Sequence, residues 1–289
     1  MSSAAPIGIF DSGMGGLSVA REIRALLPAE SLLYLADTAY CPYGGRPLEE
    51  IRARTLAVGQ FLVDRGAKAL IVACNSASGA ALEALRAHAP VPVIGMEPAV
   101  KPAAECTRNG RVGVMATAAT LHADRFDRLM ENFARHVQVV AQACPGLVEL
   151  VERGEVTGEE AARALQPILE PLRSASVDTV VLGCTHFPFL KSAIAEVLGP
   201  DVVLIDSGAA VARQTKRILL DGGVLRESGA GEIRIFTTGD EKTVALVAAR
   251  LWGEPVPVER AEFQSAGEAY ASSVQRFSCG GDPSAGRER

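Results

Sequence analysis

No C-x-x-C pair occurs among the six cysteines of this chain, at positions 41, 74, 106, 144, 184 and 279. That absence excludes dithiol redox chemistry and zinc-ribbon spacing. The four histidines have no metal-ligand spacing either, so no metal site is expected. Basic residues are not in excess: the net charge is −5 and the pI about 5.5, which removes the electrostatic footprint of a nucleic-acid binder. No run reaches the 18 or so apolar residues of a membrane span. The start, MSSAAPIGIFDSG, has neither the charged end nor the long apolar region of a secretory signal. The expectation is a soluble cytoplasmic protein without nucleic-acid or membrane partners, whose thiols stay reduced.

What is present is an ordinary globular composition, 48% hydrophobic and 22% charged, over 289 residues. That length suffices for one large domain or two of usual size. Short apolar runs alternate with polar loops and amphipathic stretches. PIGIF (6–10) ends in DSGMGG and is followed by LSVAREIRALL at helical spacing. SLLYLAD (31–37), the loop TAYCPYGGRP, the helix 48–66, the strand AKALIVA, the helix SASGAALEALRAHA and the strand 91–96 complete one set. After the proline-bearing EPAVKPAAE the pattern restarts with RVGVMA (111–116) and a helix opened by TAATLHADRF. VQVVAQAC, two helical stretches over 147–175, DTVVLG, DVVLID, a helix over 208–222 and the strand EIRIFTTGD follow. Buried strands alternating with helices predict an α/β fold with mainly parallel sheets. A domain boundary falls near residue 97, and periodicity leaves open whether 214–260 form their own unit or return to the first.

Two segments share one design. LIVACNSAS (70–78) and VVLGCTHF (180–187) each end an apolar run in a cysteine followed by hydrogen-bonding residues. In open parallel sheets, ligands bind beyond the carboxyl ends of the strands, and Cys74 and Cys184 both stand at such ends. A thiolate is stabilised beside a helix N-terminus or a cation. Asn75, Ser76 and Thr185 are helix-cap residues that could equally bind a carboxylate or an ammonium group. The bland reading of each triplet is a cap after a buried cysteine, and it weakens when the design appears twice. His186, two residues past Cys184, can supply or relay a proton. DSGMGG fits no phosphate-loop pattern and by itself reads as a tight turn capped by Asp11 or Ser12. Cys106 and Cys144 are expected to be small buried hydrophobes, His88, His122 and His136 to be surface residues, and Cys279 to lie in a mobile tail.

Taken in order, IGIFDSGMGGLSV, YLADTAYCPYGGRP, LIVACNSAS, VGVMATAAT and VVLGCTHFPFL closely resemble the glutamate racemases of bacterial cell-wall synthesis, over roughly residues 6–260. The resemblance implies two pseudo-symmetric α/β domains with the active site in the cleft between them. The first would be 1–97 plus 214–262, the second 98–213, and 263–289 a flexible tail. It implies racemisation of L- and D-glutamate for peptidoglycan without cofactor, with Cys74 and Cys184 as the acid/base pair, one on each face of the α-carbon. Asp11 would assist Cys74, and His186 and Glu152 would assist Cys184. Substrate contacts would come from Asp11, Ser12, Tyr43, Gly44, Asn75, Ser76, Thr117, Thr120, Thr185 and His186. Cys41, near the substrate loop, matches no catalytic position. Ser76 stands where the family usually has threonine, and Ala116 where it more often has glycine. Members often dimerise, so a homodimer is expected. The alternatives are an aspartate or hydantoin racemase of the same superfamily, or a non-catalytic amino-acid-binding or regulatory protein.

Overall fold

The computed structural model describes residues 2–262; the expected tail, with Cys279, lies outside them. The chain opens with β1 (Ile7–Asp11), α1 (Leu17–Leu26), β2 (Leu32–Ala36), α2 (Leu48–Asp64), β3 (Ala69–Val72), α3 (Asn75–His88) and β4 (Val93–Ile94). It continues through α4 (Val100–Cys106), β5 (Arg111–Ala116), α5 (Ala118–Leu121), α6 (Asp124–Phe133), β6 (Gln138–Ala143), α7 (Leu147–Glu152), α8 (Gly158–Ser174), β7 (Thr179–Leu182), α9 (Lys191–Leu198) and β8 (Val203–Ile205). It closes with α10 (Gly208–Asp221), β9 (Ile233–Thr237), α11 (Glu241–Trp252) and β10 (Val258–Arg260).

Two sheets result, with order β10-β9-β2-β1-β3-β4 and β6-β5-β7-β8. Every strand pair in both is parallel. The strands β1, β2, β3 and β7 are buried along their whole length, which is why they read as continuous apolar runs. Numbering strands within each set, both sheets follow the order second-first-third-fourth; β9 and β10 then extend the first. In such an order the connections reverse direction between the first and third strands, and a crevice opens there at the carboxyl ends. Asp11 and Cys74 flank that crevice in one sheet, Thr117 and Cys184 in the other.

Three expectations change. EPAVKPAAE is not simply a linker, because Val100–Cys106 is helical. Pro102 sits in the first turn, where its missing N–H has no intrahelical partner to lose. Cys106 ends that helix exposed rather than buried, whereas Cys144 is buried as expected. His88, His122 and His136 are exposed. The helix expected from residue 117 forms as two pieces, α5 and α6. The return of the chain is a tertiary matter: α10 spans residue 213 and packs on α1, while β9 pairs with β2.

Candidate active site

Cys74 ends the apolar run of β3 and caps α3: its Sγ accepts the N–H of Ala77 at 3.5 Å. The thiol lies 4.0 Å from the Ser12 hydroxyl. Cys184 occupies the matching place after β7, with its Sγ 3.6 Å from His186 Nδ1. Both thiols are nearly buried, at 5% and 8% exposure, and both line one cleft of about 270 Å³. Asp11, Ser12, Tyr43, Gly44, Asn75, Ser76, Thr117, Thr120, Thr185 and His186 line the same cleft. Every residue named from the sequence is therefore brought to it, except Glu152, which stands behind His186.

The DSGMGG turn is where the two sheets interlock. Asp11 ends β1, and its carboxylate accepts the N–H groups of Ser12 and Gly16, each at 2.7 Å. It also accepts the hydroxyl of Thr185 at 3.2 Å, from the opposite side of the cleft. Ser18 donates to the Thr185 carbonyl at 2.8 Å. Glu152 accepts the Met14 N–H at 2.6 Å and His186 Nε2 at the same distance. Glycine is required in this turn by close approach. A Cβ on Gly15 would overlap the His186 imidazole, and one on Gly13 would overlap the Glu152 carboxylate.

Cys74 sits among groups that oppose its ionisation. Burial raises the Cys74 pKa well above the ordinary thiol value, and the Asp11 charge raises it further. Burial likewise raises Asp11, partly offset by His186 and by its hydrogen bond to Cys74. For His186, burial acts to lower the pKa, but hydrogen bonds to Cys184, Cys41 and Glu152 together outweigh it and hold it well above the usual histidine value. A ring that holds its proton thus lies 3.6 Å from the Cys184 sulfur, an arrangement chemically able to carry a proton to or from it.

The remaining cleft-facing groups are polar but not cationic. Ser76, Thr117 and Thr120 form a hydroxyl cluster, with oxygens 3.0–3.5 Å apart. The Asn75 amide is buried, and neither its oxygen nor its nitrogen has a protein partner. An unpaired buried amide costs about 1–3 kcal/mol, so a polar ligand that reaches it is favoured.

One cluster was missed in the sequence. Cys41 Sγ, a Glu152 oxygen and a His186 nitrogen lie within 4.8 Å of one another. They do not fit an ion seat. The 2.6 Å separation of His186 Nε2 and Glu152 Oε1 is shorter than the roughly 3.3 Å between two ligands of a tetrahedral zinc, and Gly13 closes the cluster against Cys41 and Glu152. Burial pushes the Cys41 thiol up to about 12, so it stays protonated beside the imidazole. Nothing local flags this contact, because Cys41 and Glu152 are 111 positions apart in sequence.

Comparison with known proteins agrees with this geometry. Residues 7–215 match the model of the Asp/Glu/hydantoin racemase family. The chain belongs to that family. It is 51% identical over 253 residues to the glutamate racemase of Pseudomonas paraeruginosa, covering 87% of this chain and 96% of that one. The glutamate racemase isoform RacE1 of Bacillus anthracis superposes with a TM-score of 0.82 at 36% identity, covering 90% and 98% of the two chains. The Escherichia coli glutamate racemase, solved with L-glutamate and the activator UDP-MurNAc-Ala, gives 0.81 at 35% identity, covering 90% and 100%. No helix among the described residues is long and apolar enough to cross a membrane.

Proposed function

We propose that this chain is a glutamate racemase that interconverts L- and D-glutamate in the cytoplasm and supplies the D-enantiomer for peptidoglycan. The observation that supports this most directly is that two buried cysteines, each ending the third strand of its own sheet, line one cleft. A base on one face of the carbon and an acid on the other invert a stereocentre by proton transfer, and two thiols supply both.

From D-glutamate, the Cys74 thiolate takes the α-proton, and the electron pair left on carbon delocalises into the adjacent carboxylate. The Cys184 thiol delivers its proton to the opposite face. The product is L-glutamate, with Cys74 now the thiol and Cys184 the thiolate; the reverse reaction exchanges the roles. Asp11 assists at Cys74, to which it is electrostatically coupled. His186 moves protons at Cys184, with Glu152 as its partner. The hydroxyls of Ser76, Thr117 and Thr120, the Asn75 amide and Thr185 hold the carboxylates and the ammonium group. No cofactor or metal is assigned to any step. Residues 1–97 with 214–262 form one proposed domain and 98–213 the other, and a homodimer is the proposed assembly.

Circular dichroism of purified protein with D-glutamate and then L-glutamate, with a chelator and no added cofactor, tests the assignment. Decay of the signal to zero from both sides is the expected result. Aspartate, one methylene shorter, is discriminated in such a pocket by about 1–3 kcal/mol. Racemisation of aspartate with glutamate optically fixed would overturn the substrate, and no change in either would leave an amino-acid-binding role.

A further inference from the structure

Tyr43 and Gly44 line the cleft from the loop between β2 and α2, which carries two short 3₁₀ turns, Thr38–Tyr40 and Tyr43–Gly45. A loop without a sheet ladder needs some other source of rigidity if it is to shape a binding wall. Asp37, at its start, is fully buried and accepts four hydrogen bonds on its two oxygens. Oδ1 takes Arg54 Nη2 at 2.6 Å and the Thr238 hydroxyl at 2.8 Å. Oδ2 takes Arg54 Nε at 2.9 Å and the Tyr43 hydroxyl at 2.6 Å. These four bonds fill the capacity of a carboxylate.

Arg54 comes from the middle of α2, is 3% exposed, and lies 3.9 Å above the ring of Tyr40 in the same loop. The hydroxyl of Thr238, beyond β9, also accepts the N–H of Ala39. The far side of the loop is seated as well: a Cβ on Gly44 would touch Thr117 of the second sheet. A buried ion pair is a poor device for stability alone, because well-packed apolar residues of equal volume often do as well or better. A bidentate, fully satisfied pair does fix geometry. The Tyr43 phenol donates its single proton to Asp37 and so has no donor left for a ligand.

We infer that Asp37 and Arg54 are positioning residues for substrate binding, holding the Tyr43–Gly44 wall at a set distance from the hydroxyls of Thr117 and Thr120. The inference rests on the cleft being the glutamate site and goes beyond it in naming what sets its dimensions.

Kinetics of Tyr43→Phe, Asp37→Asn and Arg54→Lys, with melting temperatures, test this. Loss of a hydrogen bond to a charged group should raise KM for both enantiomers about tenfold, with a smaller fall in kcat. Tyr43→Phe should do so with a smaller drop in melting temperature than Asp37→Asn, since the ion pair survives. Adding Tyr43→Phe to Asp37→Asn should cause little further loss, because both act through one contact. Arg54→Lys, which keeps the charge but loses the fork, should fall between wild type and Asp37→Asn. Hydrogen exchange read without substrate should quicken over residues 38–47 in Asp37→Asn while α2 stays protected. A lowered melting temperature with KM unchanged in Tyr43→Phe and Asp37→Asn would overturn the inference. So would a fall in kcat at constant KM. If Asp37→Asn does not fold, Tyr43→Phe decides by itself. Wild-type enzyme that turns over no glutamate would sink the racemase assignment instead; the exchange measurement then decides the positioning role, and unchanged protection of 38–47 overturns it.

Discussion

His186 Nε2 and Glu152 Oε1 are 2.6 Å apart, while the other ring nitrogen of His186 is 3.6 Å from the Cys184 sulfur. The imidazole thus sits between the cleft and a carboxylate that does not reach it. Glu152→Gln removes the charge that helps hold the ring protonated against its burial. The expected result is a fall in kcat of about 10–100-fold with KM little changed. The variant's imidazolium is lost at lower pH than in wild type, so its kcat deficit widens as pH rises past that lowered titration. A kcat–pH profile of both proteins checks this, and a parallel loss in KM would place Glu152 against substrate instead.

Gly15 carries a steric prediction. Gly15→Ala puts a methyl group where the His186 imidazole stands. The ring must leave Cys184, and racemisation should fall about 10²–10⁴-fold, the usual worth of one acid/base group. Far-ultraviolet circular dichroism should remain that of the folded protein. Activity near wild type would mean His186 is dispensable.

The thiol pair predicts a shared pH profile. Glutamate enantiomers have equal free energy, so kcat/KM must be the same in both directions at every pH. The active form carries one thiolate and one thiol, and the inactive doubly ionised form requires Cys74 to lose its proton. Burial, the Asp11 charge and a Cys184 thiolate all oppose that loss. The falling limb of kcat/KM should therefore lie well above the ordinary thiol range near 8.5. A fall centred in that range contradicts the assignment of the pair.

Solvent deuterium separates two bases from one. With separate donors on the two faces, early product formed in D₂O carries deuterium at Cα while recovered substrate keeps protium. Nuclear magnetic resonance of the first few per cent of conversion reads this directly. Label in recovered substrate at that stage would point to a single exchanging base.

Lys68 and Glu30 form a fully buried ion pair at 2.6 Å, remote from the catalytic end of β3. The Lys68 ammonium also donates to the carbonyls of Ser3 and Val224, tying the N-terminal segment to the chain after α10. Lys68→Met leaves Glu30 buried and unpaired, at a cost of about 3–5 kcal/mol. Melting should drop by roughly 10 °C, while kcat/KM at room temperature stays near wild type. A melting point within a degree or two of wild type would mean the pair contributes no net stability.

Much of the site was legible because its signals are local. An apolar run that stops at a cysteine and hands over to Asn75-Ser76, or to Thr185-His186, declares a strand end and a cleft-lining turn within five residues. Val100–Cys106 was not legible, because Pro102 reads as a breaker until its place in a first turn is known. Cys106 was misread because burial of a lone cysteine depends on which helix face it occupies.

By itself the sequence determined the alternation of buried strands and helices, the two cysteine-bearing strand ends, and the small polar residues around them. These follow from hydrophobic periodicity and turn chemistry, which act over a few residues. Only the tertiary structure decided that β9 and β10 join the first sheet beside β2 and that Glu152 and Cys41 meet at His186. It alone decided that Asp37 and Arg54 brace Tyr43. Such pairings are chosen by packing and by the need to satisfy every buried polar group, and neither leaves a mark on the local order of residues.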